Sequence, residues 1–228
     1  MKVYITLFAT AALLTPTIAN HHVEKPSKQG WVSLFNGKTL KGWNRINGTA
    51  NYVVKDEVIT GTTSKASPNS FLCTNKKYAD FELEYEIKIH DKQLNSGVQF
   101  RSKHFGGRIE GRVNGPQCEA EYTEGKGGGE SGYIFAEATK YYWLVSDEKR
   151  TPHKHFKDGE WNKFRIKAVG PRIQTWINGA LVCDLTNEEF YKEYPSGYIA
   201  LQIHSVGMRG PFSASWKNIR IREIGKDN

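Results

Sequence analysis

The chain has 228 residues, of which 38% are hydrophobic and 25% charged, with a formal charge of +8. Its lysines and arginines are dispersed, with no dense basic run and no nucleic-acid motif, so no nucleic-acid partner is expected. Beyond the first twenty residues no long apolar run remains, so no spanning helix is expected, and the rest is long enough for one substantial core.

"MKVYITLFATAALLTPTIAN" begins with Lys2, runs through an apolar stretch broken at Pro16, and ends Thr17-Ile18-Ala19. That is the grammar of a cleavable export signal, predicted over 1–19 with cleavage near Ala19-Asn20 and release to the periplasm or the exterior. No cysteine lies near the cut, so no lipid anchor is expected. Residues 20–30 read as a polar tether, and 31–225 as a single domain. Cys73, Cys118 and Cys183 are scattered without a CxxC pair. Export permits one disulfide, leaves at least one thiol unpaired, and does not reveal the pairing. Cys118 alternates with polar neighbours and reads as a small core residue.

The hydrophobic period is two almost everywhere. "FELEYEIKIH" (81–90) alternates Phe81, Leu83, Tyr85, Ile87 and Ile89 with Glu82, Glu84, Glu86 and Lys88, an antiparallel strand with a buried face and a solvated, charged one. "NSGVQFRS" (95–102) sets Asn95, Gln99 and Arg101 against Val98 and Phe100. "GPQCEAEY" (115–122) sets Gln117, Glu119 and Glu121 against Cys118, Ala120 and Tyr122. "GKGGGESG" (125–132) has no following helix to make it a phosphate loop. "YYWLV" (141–145) offers Trp143 as a ring that is either core or sugar platform. His153 and His155 lack Cys, Asp or Glu at a ligand spacing, so no metal site is assigned; a divalent cation is left open and no other cofactor is expected.

"EWNKFRIKAVGPRIQTWINGALVCDL" (160–185) reads as three strands, with a turn at Gly170-Pro171 and a hairpin at Asn178-Gly179. "NEEFYKEY" (187–194) is the one helical stretch, capped by Asn187 with glutamates in its first turn. "GYIALQIHS" (197–205) sets Gln202 and His204 against Ile199, Leu201 and Ile203. "FSASWKNIRIREI" (212–224) alternates through Trp216 and then changes phase at Ile219, which indicates a bulge near Lys217 and Asn218 in a final, edge strand. Short strands with regular turns and one short helix predict an all-β sandwich of the jelly-roll kind, whose curved sheets offer a concave outer face. Each polar strand face taken alone reads as solvated; the three together point to a site if the strands are neighbours.

The motifs "LFNGKTLKGW", "NSGVQFRS", "GPQCEAEY", "SGYIALQIHS" and "WKNIRIREI", in this order across Leu34–Ile224, resemble the 3-keto-disaccharide hydrolase / 3-keto-glucoside 1,2-lyase / 3-keto-2-hydroxy-glucal hydratase family. The resemblance implies a concanavalin A-like jelly roll of two antiparallel sheets, a bacterial exported enzyme, and a small carbohydrate substrate in the concave face. It carries over Arg101, Gln117, Glu119, Gln202 and His204. Ile203 stands where the family often has an acid, and Lys217 where it often has arginine.

A ketone at C3 acidifies the C2 proton, so its removal lets the C1 substituent leave, and water then adds to the glycal. This chemistry needs a base, an acid and a donor to the enolate oxygen. Glu119 and His204 are the candidates for base and acid, in either order, and Arg101 the candidate donor. Gln117, Glu121, Gln99, Gln202, Asn95, Lys217 and Trp143 are the candidate substrate-binding residues. Two other classes stay open. A retaining glycosidase needs two carboxyls flanking the bond; Gln117-x-Glu119-x-Glu121 resembles the Glu-x-Asp-x-Glu strand of some concanavalin-like glycosidases, with Gln117 where one of those acids should be. A non-catalytic carbohydrate-binding module would keep only the stacking and hydrogen-bonding groups. Oligomeric state is left open.

Overall fold

The computed structural model describes residues 30–107, 111–124 and 129–225. The predicted export signal, all but the last residue of the tether, and residues 125–128 of the glycine-rich stretch lie outside them. In chain order the elements are β1 (Val32–Ser33), β2 (Trp43–Ile46), β3 (Asn51–Lys55), β4 (Val58–Thr62), β5 (Ser70–Thr74), β6 (Phe81–Ile89), β7 (Ser96–Phe105) and β8 (Arg112–Ala120). They continue with β9 (Ile134–Glu137), β10 (Tyr142–Trp143), β11 (Asn162–Val169), β12 (Arg172–Ile177), β13 (Ala180–Thr186), α1 (Glu188–Glu193), β14 (Tyr198–Ile203) and β15 (Ser213–Glu223). All pairings are antiparallel. One sheet runs β13-β12-β11-β6-β15-β4-β3 with β1 beside β15; the other runs β10-β9-β8-β7-β14-β5-β2.

The local signals act as expected where they are strongest. Asn178 and Gly179 both take positive φ, 51° and 88°, the backbone of a primed two-residue turn between β12 and β13. The Asn187 side chain accepts the Phe190 N–H at 2.9 Å, and Glu188 and Glu189 stand in the first turn of α1. The core lies between the sheets. Phe81, Leu83, Tyr85, Ile87 and Ile89 of β6 are all buried, with Tyr85 stacked on Phe164 at 5.3 Å between ring centres. Each such side chain stabilises the fold by about 1.5–3 kcal/mol. The three cysteines are free and buried, and burial pushes the Cys73 and Cys183 thiols up to about 12.

Two expectations about charged strands need correction. The acidic face of β6 is not merely solvated: Glu82 is buried and takes Arg165 at 3.0 Å and Arg222 at 2.9 Å, while Arg220 takes Glu84 at 2.6 Å. The β6 carboxylates stand between basic residues of β11 and β15, so the alternating charges form a cross-strand ladder. Burial pushes the Glu82 pKa up, but the bonds and charges of Arg165 and Arg222 outweigh it, and it lies below the usual value. Likewise β15 is no edge strand; it lies between β6 and β4, with Trp216 fully buried. Its predicted bulge is present, as a register shift between Lys217 and Arg220 with Asn218 at φ 53°.

Candidate functional site

The three polar strands are neighbours, in the order β8-β7-β14. Register aligns Phe71 of β5, Gln202 of β14, Gly97 of β7 and Glu119 of β8 in one row. The next row holds Cys73, Ala200, Gln99, Gln117, Phe135 of β9 and Trp143 of β10. Paired residues on adjacent strands share a face, so the side chains from β5, β14, β7, β8 and β9 form one surface opposite the main core, while Trp143, after Tyr142 at φ 57°, packs against that core. Gln117 Nε2 donates to Glu119 Oε1 at 2.7 Å and to Gln202 Oε1 at 3.0 Å, the second bond passing over β7. That crossing explains the glycine of "NSGVQ". A Cβ at Gly97 would stand 2.9 Å from Gln117 Cγ and 2.6 Å from the Cys118 carbonyl oxygen.

Glu119 is buried, with its second oxygen taking Asn95 Nδ2 at 3.0 Å. Burial raises its pKa well above the usual carboxylate value. The bonds from Asn95 and Gln117 pull the other way, and the charges of Glu121 and Glu137 add to the rise. The Glu121 pKa is also raised, by its own burial first. Around these acids, Gln99 Nε2, Gln117 Oε1, Gln202 Nε2 and Glu121 Oε1 are buried without a partner among the described residues. Each such group costs on the order of 1–3 kcal/mol unless a ligand or solvent meets it. Two donors and two acceptors close together suit a ligand bearing several hydroxyls.

The sheet curls over this surface. Asn69, just before β5, donates to Glu137 of β9 at 3.2 Å although β14, β7 and β8 lie between their strands. Val113 of β8 packs with Phe71, Cys73 and Ala200 of β5 and β14. Arg112 Nη2 reaches Glu137 Oε1 at 2.6 Å. His204 follows directly on β14, and its Nδ1 lies 2.7 Å from the Ser205 carbonyl oxygen. A carbonyl only accepts, so Nδ1 carries the proton and Nε2 of the neutral ring is left as the acceptor. Asn69 Oδ1 accepts from the Ser205 N–H at 2.8 Å, which ties the His204 segment to the same curl.

Asn95, Gln99, Gln117, Glu119, Glu121 and Gln202 thus share one surface, with His204 at its end. Trp143 lies in the same register as Gln117 but two strands away, half-buried against Phe135 with Arg150 over its ring at 4.3 Å. Arg101 does not join them. Between Gln99 and Lys103, β7 carries one residue more than either neighbour, and Arg101 sits in this bulge at φ 50°. The extra residue breaks the alternation and turns the side chain away. Its guanidinium donates to Ala79 O at 2.7 Å, Gly170 O at 2.7 Å and Asp80 Oδ1 at 2.8 Å, pinning the two sheets together. Lys217 also lies elsewhere, on the other sheet, beside Glu86 and over the Trp161 ring.

Sequence reasoning missed Asn69, Gly97, Arg112 and Glu137. Glu137 could have been found: "YIFAE" alternates Ile134 and Ala136 with Phe135 and Glu137, but the strand is only four residues long. Among the described residues no group of three or more His, Cys, Asp or Glu is arranged to hold a metal ion. No helix among them is long and apolar enough to cross a membrane.

A family model described as the 3-keto-alpha-glucoside-1,2-lyase-like domain matches residues 30–222. No curated protein matches the chain. Among solved structures, a provisionally described glycosyl hydrolase from Parabacteroides distasonis is 24% identical, with 85% of this chain and 99% of the other covered and a TM-score of 0.57. A second from the same organism is 18% identical over 86% and 95% of the two chains, with a TM-score of 0.60. The carbohydrate-binding module CBM66 from Bacillus subtilis is 18% identical over 80% and 96%, with a TM-score of 0.53. At these identities the structures establish a shared jelly-roll fold.

Proposed function

The chain belongs to the 3-keto-alpha-glucoside-1,2-lyase-like family, and from that premise we propose that it is an exported enzyme that cleaves 3-keto-glycosides by elimination and hydration. The observation that carries this reading is Glu119: a buried carboxyl of raised pKa, held by two amides and ringed by polar atoms without partners. A carboxylate with raised proton affinity is a suitable base at neutral pH.

In the first step Glu119 takes the C2 proton, and the C–H electron pair moves into an enolate with its charge on the C3 oxygen. The unpaired N–H groups of Gln99 and Gln202 suit that oxygen or the neighbouring hydroxyls. The enolate then re-forms the ketone, a C1–C2 double bond forms, and the C1–O bond breaks with its electron pair going to the leaving oxygen. The leaving oxygen takes the proton that Glu119 removed from C2, and Nε2 of His204, an acceptor, suits the proton of the water that then adds. Water adds across the double bond, its hydroxyl to C1 and a proton to C2, so the net reaction is hydrolysis. The reading takes residues 1–19 as the export leader, which puts this chemistry in the periplasm or outside the cell.

The test is to incubate the protein with a disaccharide and with its 3-keto derivative and to measure release of the leaving sugar. The keto-disaccharide should be cleaved and the parent should not. Rapid cleavage of the parent would favour a glycosidase; binding of both without turnover would favour a binding module.

A further inference from the structure

An enolate oxygen forming here meets a negative environment. Glu119 is neutral once it holds the C2 proton, but Glu121 and Glu137 belong to the same surface, and carboxylates nearby disfavour a new negative charge. Neutral amides offset that poorly, so the reaction calls for a cation. Arg101 is spent on Ala79, Gly170 and Asp80. Arg112 is differently placed. Its Nη2 binds Glu137 Oε1 at 2.6 Å, no other bond engages its guanidinium among the described residues, and the side chain is 36% exposed. The same Glu137 oxygen takes Asn69 Nδ2, and Asn69 Oδ1 takes the N–H of Ser205, the residue after His204. A buried carboxylate and a buried amide therefore fix one end of a half-exposed guanidinium across the curl of the sheet.

We propose that Arg112 is the substrate-contacting cation of this site, meeting the oxygen that turns negative at C3, with Glu137 and Asn69 as its positioning residues. The assignment rests on the elimination reading above. Arg112 suits the role because a guanidinium keeps its charge and presents several donors in a fixed plane, so one edge can hold Glu137 while another faces the ligand.

The experiment measures kcat and KM on the 3-keto-disaccharide for the parent chain, Arg112→Ala, Arg112→Lys and Glu137→Gln, with melting temperatures alongside. Arg112→Ala should lose about 10²–10³-fold in kcat, as for an oxyanion-hole donor, with KM little changed. Added guanidinium ion should restore part of that loss in Arg112→Ala and none in Glu119→Gln. Glu137→Gln should lose less, since the cation remains but is less well held. An Arg112→Ala protein that melts like the parent and keeps its kcat overturns the assignment, and so does a loss that guanidinium does not rescue. If Arg112→Ala does not fold, Arg112→Lys decides: a lower kcat at similar KM supports the assignment and an unchanged kcat overturns it. A parent chain that cleaves no keto-disaccharide refutes the elimination reading and takes the assignment down with it, an outcome distinct from an active parent with an active Arg112→Ala.

Discussion

Replacing Glu119 with glutamine should make the protein progressively more stable than its parent as pH rises. Glu119 is buried, and its pKa is raised well above 4.5 by burial, against the opposing bonds from Asn95 and Gln117. The folded state therefore keeps a proton that the unfolded chain releases from about pH 4.5 upward, and stability falls between there and the folded pKa. For one proton the slope is about 1.4 kcal/mol per pH unit. At the acid end the protonated carboxyl and the amide are near isosteres, each keeping one acceptor oxygen and putting a donor group in place of the other beside the Asn95 and Gln117 amides. The two chains should then agree to about 1 kcal/mol, one hydrogen bond's worth. Glutamine has no proton to lose, so the variant gains about 1.4 kcal/mol on the parent with each pH unit through the window. Urea unfolding at constant ionic strength, from about pH 4 to about pH 8, measures this as a difference between the chains. The difference matters because other groups bend both curves alike. Burial lowers the pKa of His90 and His153, which removes stability as pH falls below 6.5, and the raised pKa of Glu121 acts as Glu119 does. Parallel curves would mean that Glu119 ionises as freely folded as unfolded, and would refute the argument.

Three further outcomes follow from the geometry. Gly97→Ala should cost about 1–3 kcal/mol in a thermal or urea melt, because the new Cβ meets the Cys118 carbonyl and the Gln117 side chain, and should part Gln117 from Gln202; a variant as stable and as active as the parent would contradict the close packing. Arg101→Met should lose about 3–5 kcal/mol of stability, as expected when one partner of a buried pair with Asp80 is removed, while the kcat of the folded fraction is kept; a kcat loss at full stability would return Arg101 to the site. Glu121→Gln should shift the acid limb of the kcat/KM profile to lower pH, since removing that charge lowers the proton affinity of Glu119. An unshifted limb would separate the two carboxyls.

Much of this architecture is legible in local sequence because its signals are short-range. The alternation of 81–90, the Asn178-Gly179 turn and the Asn187 cap each specify backbone geometry within a few residues, and all three are present in the structure. The acids and amides of 115–121 and Gln202 are legible for the same reason, since period two fixes their face. Arg101 shows the limit of that rule. One extra residue in β7 reverses the phase after Gln99, and nothing in "VQFRS" announces it. Gly197 is the partner signal: a Cβ there would stand 2.2 Å from the Arg101 carbonyl carbon, a contact that exists only once distant strands are paired. Asn69 is hidden for a related reason, because it meets Glu137 through the curl of the sheet and not through any spacing along the chain.

The most direct test of the proposed chemistry is transfer of the C2 proton. A 3-keto-disaccharide deuterated at C2 should be cleaved more slowly than its protiated form, with a primary isotope effect on kcat, and Glu119→Gln should lose most of that activity while still binding the sugar. Cleavage at equal rates for the two isotopologues, with no exchange of the C2 proton into solvent, together with full activity in Glu119→Gln, would contradict elimination and return the acidic row of β8 to a structural role.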